Sequence, residues 1–312
     1  MADMTIFSLP AAVKILSSTV HLATPYLFAA VGEAIAQSSG VLNLGVDGIM
    51  LLGAFASFFV TLSTDSVWLG VLAAMVVGLL MGLLMSVISV TLKAEQGISG
   101  IGLYIFGLGL SSLLFKVTVG TVKTVTGFQA VKIPILGDIP VLGEILFQHS
   151  LPVYAAFLVV PLAWWFLDRT TWGLKIKAVG HTPAAADSLG VSVLRVRYAS
   201  VCLGAVLAGL AGASLSLAMV NLFQENLTAG MGFIAVALVY FGGWRPVAIM
   251  GGALLFSFMN ALQLWMQVLG VKIPSDLAVM LPYVLTIAVL AVGPSPAREP
   301  IALNKPFERG EH

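Results

Sequence analysis

The chain has 312 residues, of which 59% are hydrophobic and 9% are charged, and its formal net charge is +1. Charged residues make up about a quarter of soluble domains, so this composition indicates an integral membrane protein. The net charge gives no indication of nucleic-acid binding, and the chain has no basic run long enough to follow a phosphate backbone, so we expect no nucleic-acid partner. The single cysteine, Cys202, excludes a disulfide framework and a thiolate metal site.

Apolar stretches long enough to cross a bilayer follow one another along most of the chain. A spanning helix needs about 20 predominantly apolar residues. The first stretch, 5–20, is interrupted by Pro10 and Lys14, so it is either a further span or an interfacial helix, and the side of the N-terminus stays open. The other candidates are 22–38, 46–62, 67–92, 98–118, 151–167, 198–218, 229–243, 247–269 and 279–293. We therefore predict an all-α fold, a polytopic transmembrane helix bundle of about nine or ten spans.

Basic residues predict the orientation, because lysine and arginine in short loops stay on the cytoplasmic side. Placing the long polar segment 168–197 inside makes 119–150 a large external connection and 294–312 a cytoplasmic tail. The inside residues are then Lys93, Arg169, Lys175, Lys177, Arg195, Arg197, Arg245, Arg298, Lys305 and Arg309, the outside ones are Lys116, Lys123, Lys132 and Lys272, and Lys14 is unassigned.

Three polar residues fall within or between the first two spans. Glu33 lies inside the span 22–38, where an ionisable group is costly and faces the bundle interior or water. Asn43 and Asp47 follow in a glycine-interrupted stretch, which indicates either a broken helix lining a cavity or a short capped turn. A weaker echo, NLTAGMG at 226–232, would lie towards the opposite side, as an inverted repeat requires.

Glycine and alanine recur at helical spacing within the spans. Small residues four apart let membrane helices approach closely. We predict packing contacts at Gly78, Gly82, Gly100, Gly102, Gly107, Gly109, Gly204, Ala208 and Gly212.

The external connection contains a six-residue repeat, IPILGD at 133–138 and IPVLGE at 139–144. Proline and glycine at fixed offsets predict successive turns rather than a spanning helix. The segment either receives a soluble partner or covers the bundle.

The cytoplasmic segment 168–197 contains signals for a short helix. Thr182 can cap its first turn, Pro183 suits its first position, 184–189 propagate it, and Gly190 suits a left-handed exit. A helix of about two turns is unstable alone in water, so either its own bundle or another protein must hold it.

A polar stripe, Asn260, Gln263 and Gln267, occupies one helical face of the span 247–269. Such a stripe lines a path or an interhelical seam. Together with Asn43, Asp47 and Glu33, we take Asn260 and Gln263 as candidates for a substrate path. The sequence shows no catalytic constellation, no sign of a cofactor and no G-x-x-x-x-G-K-[ST] loop, so the chain is not expected to bind ATP itself or to be an enzyme.

Three stretches resemble a known family: GVLNLGVDGIMLLGAF at 40–55, IPILGDIPVLGEILFQHSLPVY at 133–154 and GLKIKAVGHTPAAADSLGVSV at 173–193. They are similar to the permease subunits of bacterial ABC importers in the branched-chain amino acid and simple-sugar permease superfamily, nearest to its nucleoside branch, which works with basic-membrane-protein-type lipoproteins. The resemblance extends over about 22–293, the expected permease domain, with 1–21 as a separate N-terminal segment. It departs at Ala36-Gln37, where relatives often carry Glu-Arg.

The resemblance implies a multi-pass protein of the bacterial inner membrane that imports nucleosides, related purines or simple sugars. Its partners would be separate ATPase subunits, a second permease subunit, identical or homologous, and an external substrate-binding lipoprotein. It also implies that 181–191 is a coupling helix entering the ATPase. The residues expected at this contact are Gly180, His181, Thr182, Pro183, Ala184, Ala185, Asp187, Leu189 and Gly190. The rival interpretation is an ion-coupled secondary transporter with Glu33 and Asp47 as its coupling acids.

Overall fold

A computed structural model describes residues 9–134, 136–268, 280, 284, 287 and 299–308 of the chain. Within these residues the fold is almost entirely helical, in agreement with the predicted class. The eleven α-helices are α1 (Leu9–Ser38), α2 (Val46–Thr64), α3 (Val67–Ser86), α4 (Gln96–Thr118), α5 (Leu142–Leu146), α6 (Leu151–Arg169), α7 (Thr171–His181), α8 (Pro183–Ser188), α9 (Val193–Ser214), α10 (Met231–Phe241) and α11 (Pro246–Val268). Helices α3 and α9 each continue into one wide π-helical turn, Val87–Thr91 and Leu215–Met219.

Seven of these helices are long and apolar enough to cross a membrane: α1, α2, α3, α4, α6, α9 and α11. Each coincides with one of the predicted spans. The span predicted at 229–243 is wrong, because α10 has only 11 residues. At 1.5 Å per residue it is about 16 Å long, roughly half the hydrocarbon thickness. The span predicted at 279–293 lies outside the range that the structure describes continuously.

Helix α1 is longer than the sequence suggested. It runs unbroken for 30 residues from Leu9 and contains Pro25, so the boundary expected between residues 21 and 22 falls inside a single helix. A buried proline is tolerated there because neighbouring helices cover the backbone group that it leaves unpaired. The interruption by Lys14 also has a local explanation, since its ammonium lies 6.0 Å from the ring centre of Trp265 on α11.

The helices form an inner and an outer set. In the most apolar windows of α1, α2 and α9, 72% of the residues are buried, compared with 28% in α4 and α6. Backbones touch within the inner set, because a Cβ added to Gly32 of α1 would lie 2.7 Å from the Gly204 oxygen of α9. Packing at glycines was therefore correctly predicted, except at Gly102 and Gly109, where an added Cβ would have no neighbour within 4 Å. These two residues lie on the outward face of α4.

The two ends of the bundle follow the predicted sorting of basic residues. At one end, the Ala302 N–H donates to the Gly180 oxygen at 2.9 Å and Lys93 pairs with Glu308 at 2.6 Å. At the other end, the His21 ring of α1 stacks 6.3 Å from His149 of the external connection. Helix α1 therefore starts at the end that carries 119–150 and finishes at the end that carries the polar segment 168–197.

The external connection folds into turns, as predicted. It also contains a small sheet that was not predicted. The strands β1 (Ala130–Lys132) and β2 (Gln148–Ser150) pair antiparallel. The two repeat units between them form matching hydrogen bonds, because Gly137 donates to Ile133 and Gly143 to Ile139, both at 2.8 Å. The segment is tied to the chain after α9, where the Val125 N–H donates to the Asn221 oxygen at 2.9 Å.

Candidate functional site

The stretch between α1 and α2 is irregular and buried. The backbone of 39–45 leaves helical geometry at Gly40, which has φ +89°, and re-enters the bundle before α2 begins. Irregular backbone inside a membrane protein needs internal partners for its N–H groups. Side chains supply them: the Leu42 N–H donates to Gln96 at 2.7 Å and the Asn43 N–H to Glu33 at 2.9 Å.

Glu33 is the centre of this polar cluster and is 2% exposed. One of its carboxylate oxygens accepts from the Asn43 N–H and, at 3.0 Å, from the amide of Gln37. The Gln37 oxygen in turn accepts from the indole N–H of Trp244 at 2.8 Å. Gln37 therefore carries the network from α1 to the connection between α10 and α11.

Asp47 joins two helix N-termini. It lies in the first turn of α2, and its two carboxylate oxygens accept from the Thr228 hydroxyl at 2.9 Å and from the Gly232 N–H of α10 at 2.7 Å. Helix N-termini carry partial positive charge, so both favour an anion at this point. The two glycine-interrupted stretches thus meet at Asp47, although the first follows the end of α1 beside Ala302 and the second follows Asn221, which is bonded to the external connection.

The remaining candidates for a substrate path lie on α11. Gln263 is buried, Asn260 is half-buried and Gln267 is exposed. Helix α11 packs against α1, where the Tyr26 and Phe256 rings meet edge to face at 5.1 Å. Gln263 therefore lies in an internal helix interface, whereas Gln267, one turn further along α11, lies outside it.

The predicted short helix forms as α8, one turn and a half of chain between α7 and α9. Pro183 occupies its first turn and Gly190 leaves it with φ +82°, as predicted. The predicted Thr182 cap is wrong, because the Thr182 hydroxyl makes no capping hydrogen bond and only its backbone oxygen accepts, from Ala186 at 3.0 Å. Its φ of −138° and ψ of 73° are not typical of a capping residue.

Helix α8 is held by its own chain on one side and open on the other. Ala186 is buried, and its oxygen accepts from the Val191 N–H at 3.0 Å. Ala184 and Ala185 are exposed, and Leu189 is 84% exposed, the highest value among the large apolar residues described. His181, Thr182, Asp187 and Gly190 border this exposed surface, while Gly180 is packed against the Ser38 oxygen at the end of α1.

The tail segment 299–308 lies across the same end of the molecule. Arg197 in the first turns of α9 is 1% exposed and donates to the Lys305 oxygen at 3.0 Å, while its Nε and second terminal nitrogen have no partner among the described residues. Glu95, which caps α4, has its pKa lowered by the N–H groups of Ile98 and Gly97. Its carboxylate stays ionised and also accepts from Asn304 of the tail.

Sequence reasoning missed Gln37, Gln96, Arg197, Thr228 and Trp244 as members of these networks. Arg197 was counted only as a loop charge, although its spacing of four from Val193 and Val201 on an apolar face indicates burial. Among the described residues, no three His, Cys, Asp or Glu side chains converge as metal ligands do. The site is thus a set of polar contacts that fixes broken backbone, together with an exposed helix on the tail-bearing end.

Comparison with known proteins supplies the family. Residues 15–290 match the family described as the permease component of branched-chain amino acid transport systems. The chain is 41% identical to a provisionally named glucose ABC transporter permease of Haloferax volcanii, over 84% of this chain and 80% of that protein. It is 35% identical to a guanosine ABC transporter permease of Bacillus subtilis, over 95% of this chain and 97% of the relative.

A third relative, a nucleoside ABC transporter permease of Lactococcus lactis subsp. cremoris, is 36% identical over 89% of this chain and 91% of its own length. No solved structure matches the chain at a significant level.

Proposed function

The chain belongs to the permease family of branched-chain amino acid transport systems, and on that premise we propose that it imports nucleosides or related purines. It is a multi-pass permease subunit of an ATP-binding-cassette importer, and such importers work with ATPase and substrate-binding partners. The nucleoside assignment is supported by the two relatives named for guanosine and nucleosides. The match with this chain covers 97% and 91% of their lengths. Simple sugars are the second candidate, because the 41% identical relative is named for glucose.

The assembly that we propose has two permease subunits, identical or homologous, in a bacterial inner membrane. Each bundle contributes the seven long apolar helices to the membrane, an external lipoprotein delivers the solute to the 119–150 side, and ATPase subunits bind the opposite end. The chain itself contributes no ATPase site. The family match over 15–290 supports this arrangement, as does the sorting of basic residues between the two ends.

We propose that α8 is the coupling helix. The observation that supports this is an apolar residue, Leu189, 84% exposed at the end that positive charges mark as cytoplasmic. Since α8 is anchored by Ala186 and Gly180, a force on its exposed face would be passed to the end of α1. The residues of the contact are those predicted from the sequence, Gly180 to Ala185, Asp187, Leu189 and Gly190.

The test places a charge on the exposed face of α8. Ala185→Glu should reduce ATP-driven uptake at least tenfold and weaken ATPase binding, because a charge buried at an apolar contact costs several kcal/mol. Ser63→Glu, which adds the same charge at an exposed position of α2, is the matched control. Uptake is measured in proteoliposomes containing the complete transporter. Full uptake by Ala185→Glu with normal ATPase binding would contradict the coupling role.

We propose that two groups of residues form the substrate path, one that contacts the solute and one that holds the surrounding backbone in place. Asn260 and Gln263 would contact solute along α11. Glu33, Asn43 and Asp47 would shape the path by fixing the backbone at 39–45 and the start of α10, because their carboxylate and amide oxygens already accept hydrogen bonds within the chain. The same hydrogen bonds disfavour Glu33 and Asp47 as exchangeable coupling acids in an ion-driven transporter.

Substrate identity is tested by uptake of radiolabelled guanosine, adenosine, adenine and glucose. The complete transporter is expressed in a host that lacks its own nucleoside importers. We expect ATP-dependent uptake of the nucleosides that persists when a protonophore collapses the proton gradient. Uptake of glucose alone would favour the sugar assignment, and uptake abolished by the protonophore with ATP maintained would favour the ion-coupled rival.

A further inference from the structure

A cavity of about 750 Å³ opens at the tail-bearing end of the bundle, next to the contact face of α8, with which it shares His181. It lies where α6 ends, α11 begins and α7 passes between them. Its charged and aromatic lining consists of Trp164, Asp168, Lys177, His181, Trp244 and Arg245. The cavity thus combines basic groups with indole rings at the level where a membrane helix meets cytoplasm.

The lining has an excess of positive charge. Asp168 and Lys177 are paired and offset each other's charge, so the excess positive charge is that of Arg245. Arg245 is exposed, and no carboxylate of the described residues lies within ion-pair distance of it. The first turn of α11, Pro246 to Ala248, also lines the cavity and adds the positive end of a 23-residue helix. The cavity is therefore suited to an anion.

The walls on either side of the cavity suit acyl chains. Next to it, α6 exposes Leu158, Leu162 and Trp165, and α11 exposes Leu255, while the exposed Val247 lines the cavity itself. Large apolar residues exposed on two neighbouring membrane helices face lipid tails. Tryptophan is enriched where such helices reach the headgroup layer, as Trp164 and Trp244 do here. The cavity is thus continuous with a lipid-facing surface.

We propose that this cavity binds the phosphate headgroup of an anionic phospholipid from the cytoplasmic leaflet, with Arg245 and Lys177 as its basic contacts. Basic pockets between membrane helices on the cytoplasmic side recognise such headgroups. The bound lipid holds α7 to the start of α11. Because α7 leads directly into α8, and Trp244 donates to Gln37 of the buried cluster, the lipid stabilises the parts of the chain that relay movement.

The experiment uses the complete transporter with its ATPase subunits, purified in detergent. Phosphatidylglycerol and phosphatidylcholine with identical acyl chains are titrated in, and retained lipids are counted by native mass spectrometry. We expect preferential retention of phosphatidylglycerol. Arg245→Gln should lower that retention about fivefold, the effect of one basic residue near an anionic headgroup. Arg245→Lys, which keeps the charge, should preserve it, and Arg195→Gln, an exposed arginine outside the cavity, is the matched control.

Lys177→Gln provides a second variant, should Arg245→Gln fail to assemble, and it should act in the same direction. Equal retention of the two lipids, or unchanged phosphatidylglycerol retention in both glutamine variants, would overturn the proposal. Competition separates a lipid from a free anion: millimolar inorganic phosphate or glycerol 3-phosphate should not displace the lipid. Displacement by either would assign the cavity to a soluble phosphate compound instead.

Discussion

The carboxylate of Asp47 occupies a position that transporters often reserve for an anionic ligand. Asp47 lies in the first turn of α2 and its carboxylate accepts from the N-terminus of α10, and half-helix N-termini bind anions at membrane depth. Here the chain supplies the anion itself. The N-terminus of the short helix α10 can therefore stay inside the protein without a bound anionic solute, because Asp47 already accepts its hydrogen bond.

This arrangement predicts the effect of an isosteric change at Asp47. Asp47→Asn removes the charge and one of two acceptor oxygens, so one hydrogen bond to Thr228 or Gly232 is lost. Hydrogen bonds to charged groups contribute about 1.5 to 3 kcal/mol, and the thermal unfolding midpoint should fall accordingly. The midpoint is measured by tryptophan fluorescence in nanodiscs.

Asp65→Asn is the control for that change. Asp65 is exposed at the end of α2 in a left-handed conformation that asparagine also adopts, so its midpoint should stay within the small range of surface substitutions. Equal midpoints for the two variants would show that Asp47 does not fasten α10.

At the scale of residues, the sequence identified one partner of each contact and missed the other. Glu33 and Asp47 stand out because charged groups are rare within spans. Their partners do not stand out, since Thr228 and the Gly232 N–H are ordinary groups in sequence. Gln37 and Gln96 also do not stand out in the sequence. Their hydrogen bonds, to Glu33 and to the Leu42 N–H, form only when folding brings the irregular segment 39–45 beside them.

At the scale of elements, the tail forms a bridge between parts of the chain that the sequence separates. Segment 299–308 contacts α7 at Gly180, α9 at Arg197 and the α3–α4 loop at Lys93. Arg197 is the buried member of this set, and a guanidinium at 1% exposure requires partners that repay its desolvation. The tail backbone provides one of them.

Loss of Arg197 should therefore release the tail. In a Cys202→Ser background, Leu303→Cys places a thiol at a position that is 7% exposed. Adding Arg197→Gln should raise its rate of maleimide labelling at least tenfold, because losing a charge-assisted hydrogen bond of about 1.5 to 3 kcal/mol favours opening by that factor. Arg195→Gln, two residues earlier and exposed, should leave the rate unchanged. Equal rates would mean that other contacts suffice to hold the tail.

Helix packing offers a second test at this scale. A Cβ added at Gly212 would lie 2.0 Å from the Met50 oxygen, whereas one added at Gly102 would meet nothing within 4 Å. Gly212→Ala should therefore force α2 and α9 apart and destabilise the protein by about 1 to 3 kcal/mol. Gly102→Ala should be neutral or slightly stabilising, since alanine favours helix. Unfolding midpoints in nanodiscs compare the two, and the opposite order would contradict the inner packing.

The sequence predicted the long helices because a membrane span is recorded in its length and hydropathy. It did not predict that α10 is short, because the apolar run at 229–243 includes glycines at both ends of the helix: Gly230, with φ +87°, precedes it, and Gly242 and Gly243 follow it. The strands β1 and β2 were also missed. They are three residues each, and pairing across the external turns, rather than any alternation of their own, defines them.

At the scale of the whole molecule, the orientation of α1 follows from contacts rather than from composition. The sequence left the N-terminal side open because the stretch 5–20 could be counted in two ways. The structure joins 9–38 into one helix, in which Lys14 lies beside Trp265, His21 beside His149, and the end of the helix beside Gly180. The start of α1 therefore shares its side with the external connection 119–150.

This sidedness predicts which positions an impermeant reagent reaches. In the Cys202→Ser background, single cysteines at Leu9 and Ser63 should react with a membrane-impermeant maleimide in intact cells. Cysteines at Leu189 and Ile301, which are exposed on the tail-bearing end, should react only after permeabilisation. All four are also labelled in detergent, so that an unreactive thiol is distinguished from a shielded one. Labelling of Leu189→Cys in intact cells would show that the bundle has the opposite orientation and that α8 is on the side away from the ATPases. Labelling of Ser63→Cys without Leu9→Cys would instead mean that the start of α1 does not reach the external surface.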